Sequence, residues 1–247
     1  MQIKNVNGEL LLTLEVDTLK GATLRGVDLT NANLRSMDLS DAVLKGADLS
    51  GADLRGANLT RARLEGAKLR NTCLELANLS DSDLTGADLT CADLRGANLE
   101  NAFLEGAKLE RADLTGANLR FTDLYGTNLE RVDLTGADLL YADLRDTNLR
   151  EAKLREANLH NTDLRGADIT TNIVRLDGIM PWKITIIEGY MRIGRHCHHV
   201  DTWDAFSDDD ITEIMPDISL RDWLNSKQQI MTIAKTTKTE VRKAITH

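Results

Sequence analysis

The sequence predicts a mainly β solenoid, with a cap at its start and a small mixed α+β module at its end. Three observations carry this. Leucine occupies every fifth position from Leu14 to Leu164 without insertion or deletion, 31 times in succession, and Ile169 and Val174 continue the frame. The position two before the leucine is mostly small, as at Ala22, Ala32, Ala42, Ala47, Ala52, Ala57, Ala62 and Ala67, with Thr122, Thr127 and Thr147 as later variants. The flanks differ in composition: only 4% of the 247 residues are aromatic, yet Trp182, Trp203 and Trp223 all follow the repeats.

A helix returns to its buried face every 3.6 residues and a strand every 2, so a period of five belongs to a larger unit. Two residues apart on an extended chain share a face. The small residue and the leucine therefore look inward, while the Asp or Asn between them looks out. The remaining two residues turn a corner. They are often polar then glycine, as in Arg25-Gly26, Lys45-Gly46, Arg55-Gly56 and Arg95-Gly96, which suits unusual backbone angles.

This unbroken Ala-(Asp/Asn)-Leu-x-x pattern over about residues 12 to 174 resembles the pentapeptide-repeat family. The resemblance implies a right-handed quadrilateral parallel β-helix with four repeats per coil, here about eight coils. The sequence offers its own check on coil length. Gly26, Gly46, Gly66, Gly86, Gly106, Gly126 and Gly166 recur at 20, interrupted by Asp146. Asn58, Asn78, Asn98, Asn118 and Asn158 do the same, interrupted by Asp138. A 20-residue coil fits these columns and a 15-residue triangular one fits poorly.

Solenoid ends expose unpaired edges, so both flanks are expected to cover them. In "IKNVNGELLLTLE" the Asn7-Gly8 pair between extended runs predicts a two-residue hairpin across the first coil, giving an N-terminal cap over residues 1–12. The β-helix is then expected over 13–174 and a capping or interaction module over 177–247. In that module "KITII" and "YMRIG", parted by Glu188-Gly189, predict a hairpin. Ser207 to Asp210 and Ser219 to Asp222 read as helix-capping boxes. The second helix carries Leu220, Trp223, Leu224, Ile230, Met231 and Ala234 on one apolar face, and the tryptophans are expected to form the core. "IGRHCHHVDTWDAF" resembles segments that follow the repeats in bacterial and phage pentapeptide-repeat proteins, a resemblance that carries no function.

Cys73, Cys91 and Cys197 are odd in number and unpaired in spacing, and "MQIKNVNGEL" lacks the apolar run of a secretion signal. A reduced, cytoplasmic protein is expected. No stretch approaches 18 consecutive apolar residues, so no membrane span is expected. His196, Cys197, His198 and His199 are adjacent rather than set in two separated pairs, which argues against zinc. The outward Asp, Ser and Thr residues form a solvated face rather than a pocket with a tuned acid and base, and no phosphate loop or nucleophile elbow is present. No enzyme activity, cofactor or metal site is expected.

A regular surface without a pocket binds other macromolecules, and its charge bears on which. Residues 9 to 170 hold 28 acidic and 19 basic side chains, a net charge of −9. The family resemblance implies one activity, protection or inhibition of DNA gyrase by acidic rods that mimic duplex DNA. Two columns could meet a basic groove: Asp53, Asp93, Asp113 and Asp133, and Asp83, Asp123, Asp143 and Asp163. Yet eight coils at a strand spacing of about 4.8 Å span about 38 Å, over which duplex DNA carries about 22 charges, more than twice this density. Arg61, Arg63, Arg111 and Arg131 also interrupt the acidic surface.

Aromatics give a sharper signal. Phe103, Phe121, Tyr125 and Tyr141, with Leu140, stand where the frame otherwise supplies polar residues or glycine, on two adjoining faces within three coils. They predict an apolar patch that meets a protein partner or a second copy of the chain. The expected function is a non-enzymatic interaction protein with a protein partner, which could be a DNA-binding enzyme. Direct nucleic-acid binding is not expected. The alternative is a scaffold or assembly factor of bacterial or phage origin that uses the C-terminal module and the patch.

Overall fold

The computed structural model describes residues 1–154, 157–159, 162–168, 173–176, 184–187, 190–193, 196–216, 221, 223–224, 227 and 231. The chain divides into two compact units, the first being Met1–Asn158 with Thr162–Ile169 and the second Leu159–Asn161 with Thr170–His247.

The first unit is a stack of 20-residue coils. Parallel bridges join each outward middle residue to its counterpart 20 positions on, from Thr23 with Val43 to Asn148 with Asp168. Four such bridges fall in each 20 residues, as at Thr23, Asp28, Asn33 and Asp38, so each coil has four sides. Backbone hydrogen bonds run both ways along the stack. The Asp53 N–H donates to the Ala32 carbonyl in the coil before, and the Leu54 N–H to the Cys73 carbonyl in the coil after. Each corner closes on a short turn, such as Ala57 N–H to Leu54 O, whose third residue has positive φ. Glycine takes that angle without a Cβ penalty, yet Leu76, Phe121 and Tyr141 adopt it too, at φ 58°, 56° and 60°.

Every frame leucine from Leu19 to Leu164 is buried, as are the small residues beside them from Ala32 to Ala157. The inward hydroxyls find backbone acceptors: Thr72, Thr122, Thr127 and Thr162 each donate to a leucine carbonyl 23 residues earlier, at 2.8–2.9 Å. Outside, the asparagine column is a ladder of amides. Asn98 Nδ2 donates to Asn78 Oδ1 at 3.1 Å, Asn118 Nδ2 to Asn98 Oδ1 at 2.9 Å, and Asn158 Nδ2 to Asp138 Oδ1 at 2.8 Å. Asn98→Leu removes both an acceptor and a donor from this ladder, together with the acceptor of the Glu100 N–H. It is expected to destabilise the stack by about 1–3 kcal/mol, read as a lower melting temperature.

The N-terminal hairpin forms, but around a different turn from the one expected. β1 (Gln2–Lys4) pairs antiparallel with β2 (Leu10–Thr13), and the connection spans Asn5 to Glu9. Asn5 Oδ1 accepts the N–H groups of Asn7 and Glu9, and its carbonyl accepts the Gly8 N–H. Asn7-Gly8 thus ends a four-residue turn instead of forming the loop alone. The hairpin lies on the stack: Val6 N–H donates to Asn31 O and Asn33 N–H to Lys4 O. Leu14 belongs to this cap, since its N–H goes to Met1 O and its side chain is only half-buried. The frame therefore acts as a coil wall from Leu19.

The second unit contains a four-stranded antiparallel sheet in the order β3-β4-β5-β6, formed by Ile173–Leu176, Ile184–Ile187, Tyr190–Ile193 and His196–His199. The hairpin expected around Glu188-Gly189 is β4–β5, with Ile187 opposite Tyr190. Val174, the last residue with the frame's spacing of five, pairs antiparallel with Ile186 in this sheet.

Helix α1 (Val200–Ala205) follows β6, and α2 (Asp208–Ile214) begins on the capping box expected from Ser207 and Asp210. Trp203 and Trp223 are buried with Ile186, Met191, Ile193, Val200, Ile211, Met215 and Met231. Leu224, placed on the apolar face by helical spacing, is exposed instead. Trp182, Ser219, Leu220, Asp222, Ile230 and Ala234 lie outside the described residues. No helix among the described residues is long and apolar enough to cross a membrane.

Candidate macromolecular interaction surface

The outward Asp and Asn residues first do a local job. Each side-chain oxygen accepts the backbone N–H two residues on, as Asp53 does from Arg55, Asp83 from Thr85, Asp93 from Arg95, Asp113 from Thr115, Asp123 from Tyr125 and Asp133 from Thr135. This turn-forming bond draws the chain into the corner and explains why Asp and Asn interchange at the position. Their charge is then partly neutralised. Asp93 holds Arg95 through both carboxylate oxygens at 2.8 and 2.7 Å. Asp53 pairs with Arg55, Asp143 with Arg145, Asp163 with Arg165, and Asp133 with Lys153 at 2.8 Å. Asp113 reaches Arg95 only at 4.0 Å, while Asp83 and Asp123 carry no ion pair among the described residues.

The structure does place the two acidic sets on ladders of stacked coils. Asp93, Asp113 and Asp133 are consecutive bridge partners, but Cys73 separates Asp53 from them and Lys153 follows Asp133. Asp123, Asp143 and Asp163 are likewise consecutive, while Phe103 intervenes before Asp83.

Hydrogen bonds from the neighbouring guanidinium groups hold the carboxyls of Asp53, Asp93 and Asp143 below the ordinary carboxylate range. A folded-state value below the unfolded one means that this stabilisation is complete above about pH 4 and is lost as pH falls through the folded values. The melting temperature is therefore expected to hold from pH 7 to 5 and to drop below pH 4. A flat profile down to pH 2 would show that these partly buried pairs contribute nothing.

Four of the five apolar patch residues are exposed: Phe103 by 52%, Phe121 by 47%, Tyr125 by 39% and Tyr141 by 52%. Phe121 and Tyr141 occupy one corner column and stack in parallel, with centroids 5.2 Å apart and planes within 8°. The Arg120 guanidinium lies 5.8 Å from the Phe121 ring and Arg145 lies 5.5 Å from Tyr125. Earlier on the same column, Arg61 makes two hydrogen bonds to Asp41, at 2.8 and 3.0 Å. The column thus changes from a polar pair to an aromatic pair. Leu140 is half-buried rather than exposed, and its carbonyl accepts the Phe121 N–H. It supports the corner more than it presents a surface.

Leu76, 69% exposed, went unnoticed in the sequence. It stands in a corner column whose next members are Gly96, Gly116 and Gly136, and that interruption was the available signal. A Cβ at Gly96 would come within 2.9 Å of Leu76 Cδ2, so the glycine leaves room for the leucine above it.

The histidine cluster resolves into separate packing roles. His198 is buried edge-on against Trp203 and Phe206. His199 Nδ1 accepts the Asp201 N–H at the start of α1. Burial pushes the Cys197 thiol up to about 12, far from a reactive thiolate. No group of side chains suited to hold a metal ion occurs among the described residues.

A family model described as pentapeptide repeats matches in 8 copies, over residues 38–75, 77–116, 112–150 and 133–170. Among solved structures, the chain is similar to HetL, a pentapeptide repeat protein involved in heterocyst differentiation regulation from the cyanobacterium Nostoc sp. strain PCC 7120. Identity is 33% over 62% of this chain and 87% of that one, with a TM-score of 0.33. It is also similar to the pentapeptide repeat protein Rfr23 from the cyanobacterium Cyanothece 51142, at 30% identity over 62% and 86% of the two chains and a TM-score of 0.30. QnrB1, a plasmid-mediated fluoroquinolone resistance protein, matches at 17% identity over 61% and 92%, with a TM-score of 0.30. No curated protein matches the chain.

Proposed function

The chain belongs to the pentapeptide-repeat family, whose members carry a right-handed β-helix, and on that basis we propose that it is a non-enzymatic interaction protein whose stack binds a protein partner. The observation that carries this reading is the exposed Phe121–Tyr141 pair, flanked by exposed Tyr125 and Phe103. Elsewhere this surface presents turn-forming carboxylates and amides that need no partner. Two stacked rings at a left-handed corner gain nothing for the local turn, whereas aromatic anchors commonly dominate interface energy. Asp83 and Asp123, which lie on either side of Phe103 along its ladder, favour a partner surface that offers an apolar pocket edged by Lys or Arg.

A second reading is a DNA-mimicking inhibitor or protector of a DNA-acting enzyme such as gyrase. The stacked carboxylates of Asp93, Asp113 and Asp133 favour it. The pairing of Asp53, Asp93, Asp133, Asp143 and Asp163 with basic side chains weakens it, because paired charges compete poorly with phosphates for a basic groove. A third, a scaffold acting through the C-terminal module, predicts that truncation at Asp177 removes the partner.

Affinity capture from the native host, at low and high salt and with competing duplex DNA, separates these readings. A partner that survives salt and DNA supports the aromatic surface. One displaced by both supports the decoy. A supercoiling assay with purified gyrase tests the named target, and no inhibition or protection at micromolar protein eliminates it.

A further inference from the structure

The other apolar surface of the first unit is at its N-terminal end. Among the described residues β2 has β1 on one side and no strand on the other. Its register pairs Gln2 with Thr13, Ile3 with Leu12 and Lys4 with Leu10, which leaves Leu11 as an extra residue in a bulge. Ile3 is fully buried, but the bulge carries Leu10 and Leu11 out of the core, and Leu10 remains 55% exposed. Met1, Val6 and Val16 of the same N-terminal segment are exposed as well. Together these residues offer on the order of 400 Å² of apolar surface.

From this geometry we infer that the end is a self-association surface, in which the free edge of β2 pairs antiparallel with β2 of a second copy about a two-fold axis beside Leu11. Three observations favour a copy of this chain as occupant. An antiparallel edge is complementary to itself, and an isologous contact closes after one pairing, without propagating. The run Leu10-Leu11-Leu12 carries no charge that would oppose its own image. The surrounding charge is also nearly balanced: Lys4 and Lys20 stand against Glu9, Glu15 and Asp17, so the side chains of residues 1 to 20 sum to only −1 in a chain of net charge −9. Two such ends meet without the repulsion that the acidic coils would impose. The pairing also turns a two-stranded ribbon, marginal by itself, into a four-stranded sheet. The area per copy is below the roughly 800 Å² of a standard interface, which sets the expected dissociation constant in the micromolar range.

Sedimentation velocity on the full chain from about 1 to 300 μM tests this. The expected result is a concentration-dependent dimer. The double variant Leu10→Lys, Leu11→Lys weakens it at least tenfold with an unchanged melting temperature, while Phe121→Ser with Tyr141→Ser leaves it intact. In a Cys73→Ser, Cys91→Ser background, Leu11→Cys forms a disulfide-linked dimer on oxidation, because directly opposed residues of an antiparallel pair lie within disulfide reach. A monomer at all concentrations overturns the proposal. So does a dimer indifferent to the lysines, or one lost equally in the aromatic variant. Should the lysine variant unfold, absence of the Leu11→Cys cross-link overturns it instead.

Discussion

Ala92→Asp abolishes cooperative folding of the coils around it, while Asp93→Ala, one residue along, leaves the stack folded. Ala92 is 1% exposed, between Leu89 and Leu94 on the inner wall. Its N–H donates to Leu89 O and its carbonyl accepts the Asp113 N–H, so the local backbone groups are already committed. A carboxylate there has no donor to meet it, and the cost of an unpaired buried charge exceeds about 4–5 kcal/mol. Thr72 marks what this wall does accept. One coil earlier in the same column, its hydroxyl donates to Leu49 O at 2.9 Å. Ala92→Thr is accordingly expected to fold, with a corresponding bond to Leu69 O. Asp93→Ala loses the acceptor of the Arg95 N–H and the pairing to its half-exposed guanidinium, a change of about 1 kcal/mol. Because each coil touches only its neighbours, Ala92→Asp is expected to lower hydrogen-exchange protection first near residues 72 to 112. If Ala92→Asp and Asp93→Ala melt alike, the assignment of inner and outer faces fails.

The same contrast explains how much the sequence could reveal. Inward positions repeat because a narrow core admits only leucine and small residues, and the 20-residue spacing of Gly and Asn reports coil stacking directly. Function was harder to read at the outward positions, because one residue type serves two purposes there. Asp113 and Asp123 look like a charge display, yet each accepts the N–H two residues on, and Asn118 fills the same role uncharged. Periodicity alone does not separate a turn-forming carboxylate from a partner-binding one. Aromatics suffer no such ambiguity, since the turn needs none.

Outside the repeats the signal weakened where tertiary pairing decided the structure. Val174 kept the leucine spacing but joined an antiparallel strand. "HCHH", whose adjacent spacing had argued against zinc, forms the strand His196–His199, leading into a helix α1 that no capping box announced. Ser207 and Asp210 were legible because a capping box is local, whereas the exposure of Leu224 depends on partners distant in sequence.

Changing Phe121 and Tyr141 together to serine is expected to leave the circular dichroism spectrum unchanged and to weaken the partner complex at least tenfold. The rings stack on each other and stand half-exposed at the corner, apart from the fully buried leucine wall. Their backbone bonds, Phe121 N–H to Leu140 O among them, do not involve the side chains. Both residues hold positive φ, an angle that costs a large side chain more than glycine, so serine introduces no new strain. What is lost is the ring–ring contact, about 0.5–1.5 kcal/mol, which sets a ceiling of a few degrees on the fall in melting temperature. Loss of two anchors at an interface is larger, about 1–2 kcal/mol each, and a tenfold weakening corresponds to 1.4 kcal/mol. Leu76→Ser alone provides the control, since Leu76 belongs to another corner column and its removal leaves the Phe121–Tyr141 stack in place. If affinity falls equally when Leu76 alone is changed, the binding surface is not this corner. If the Phe121, Tyr141 double variant retains every partner at unchanged affinity, the aromatic pair is a feature of packing and the proposed interaction surface is wrong.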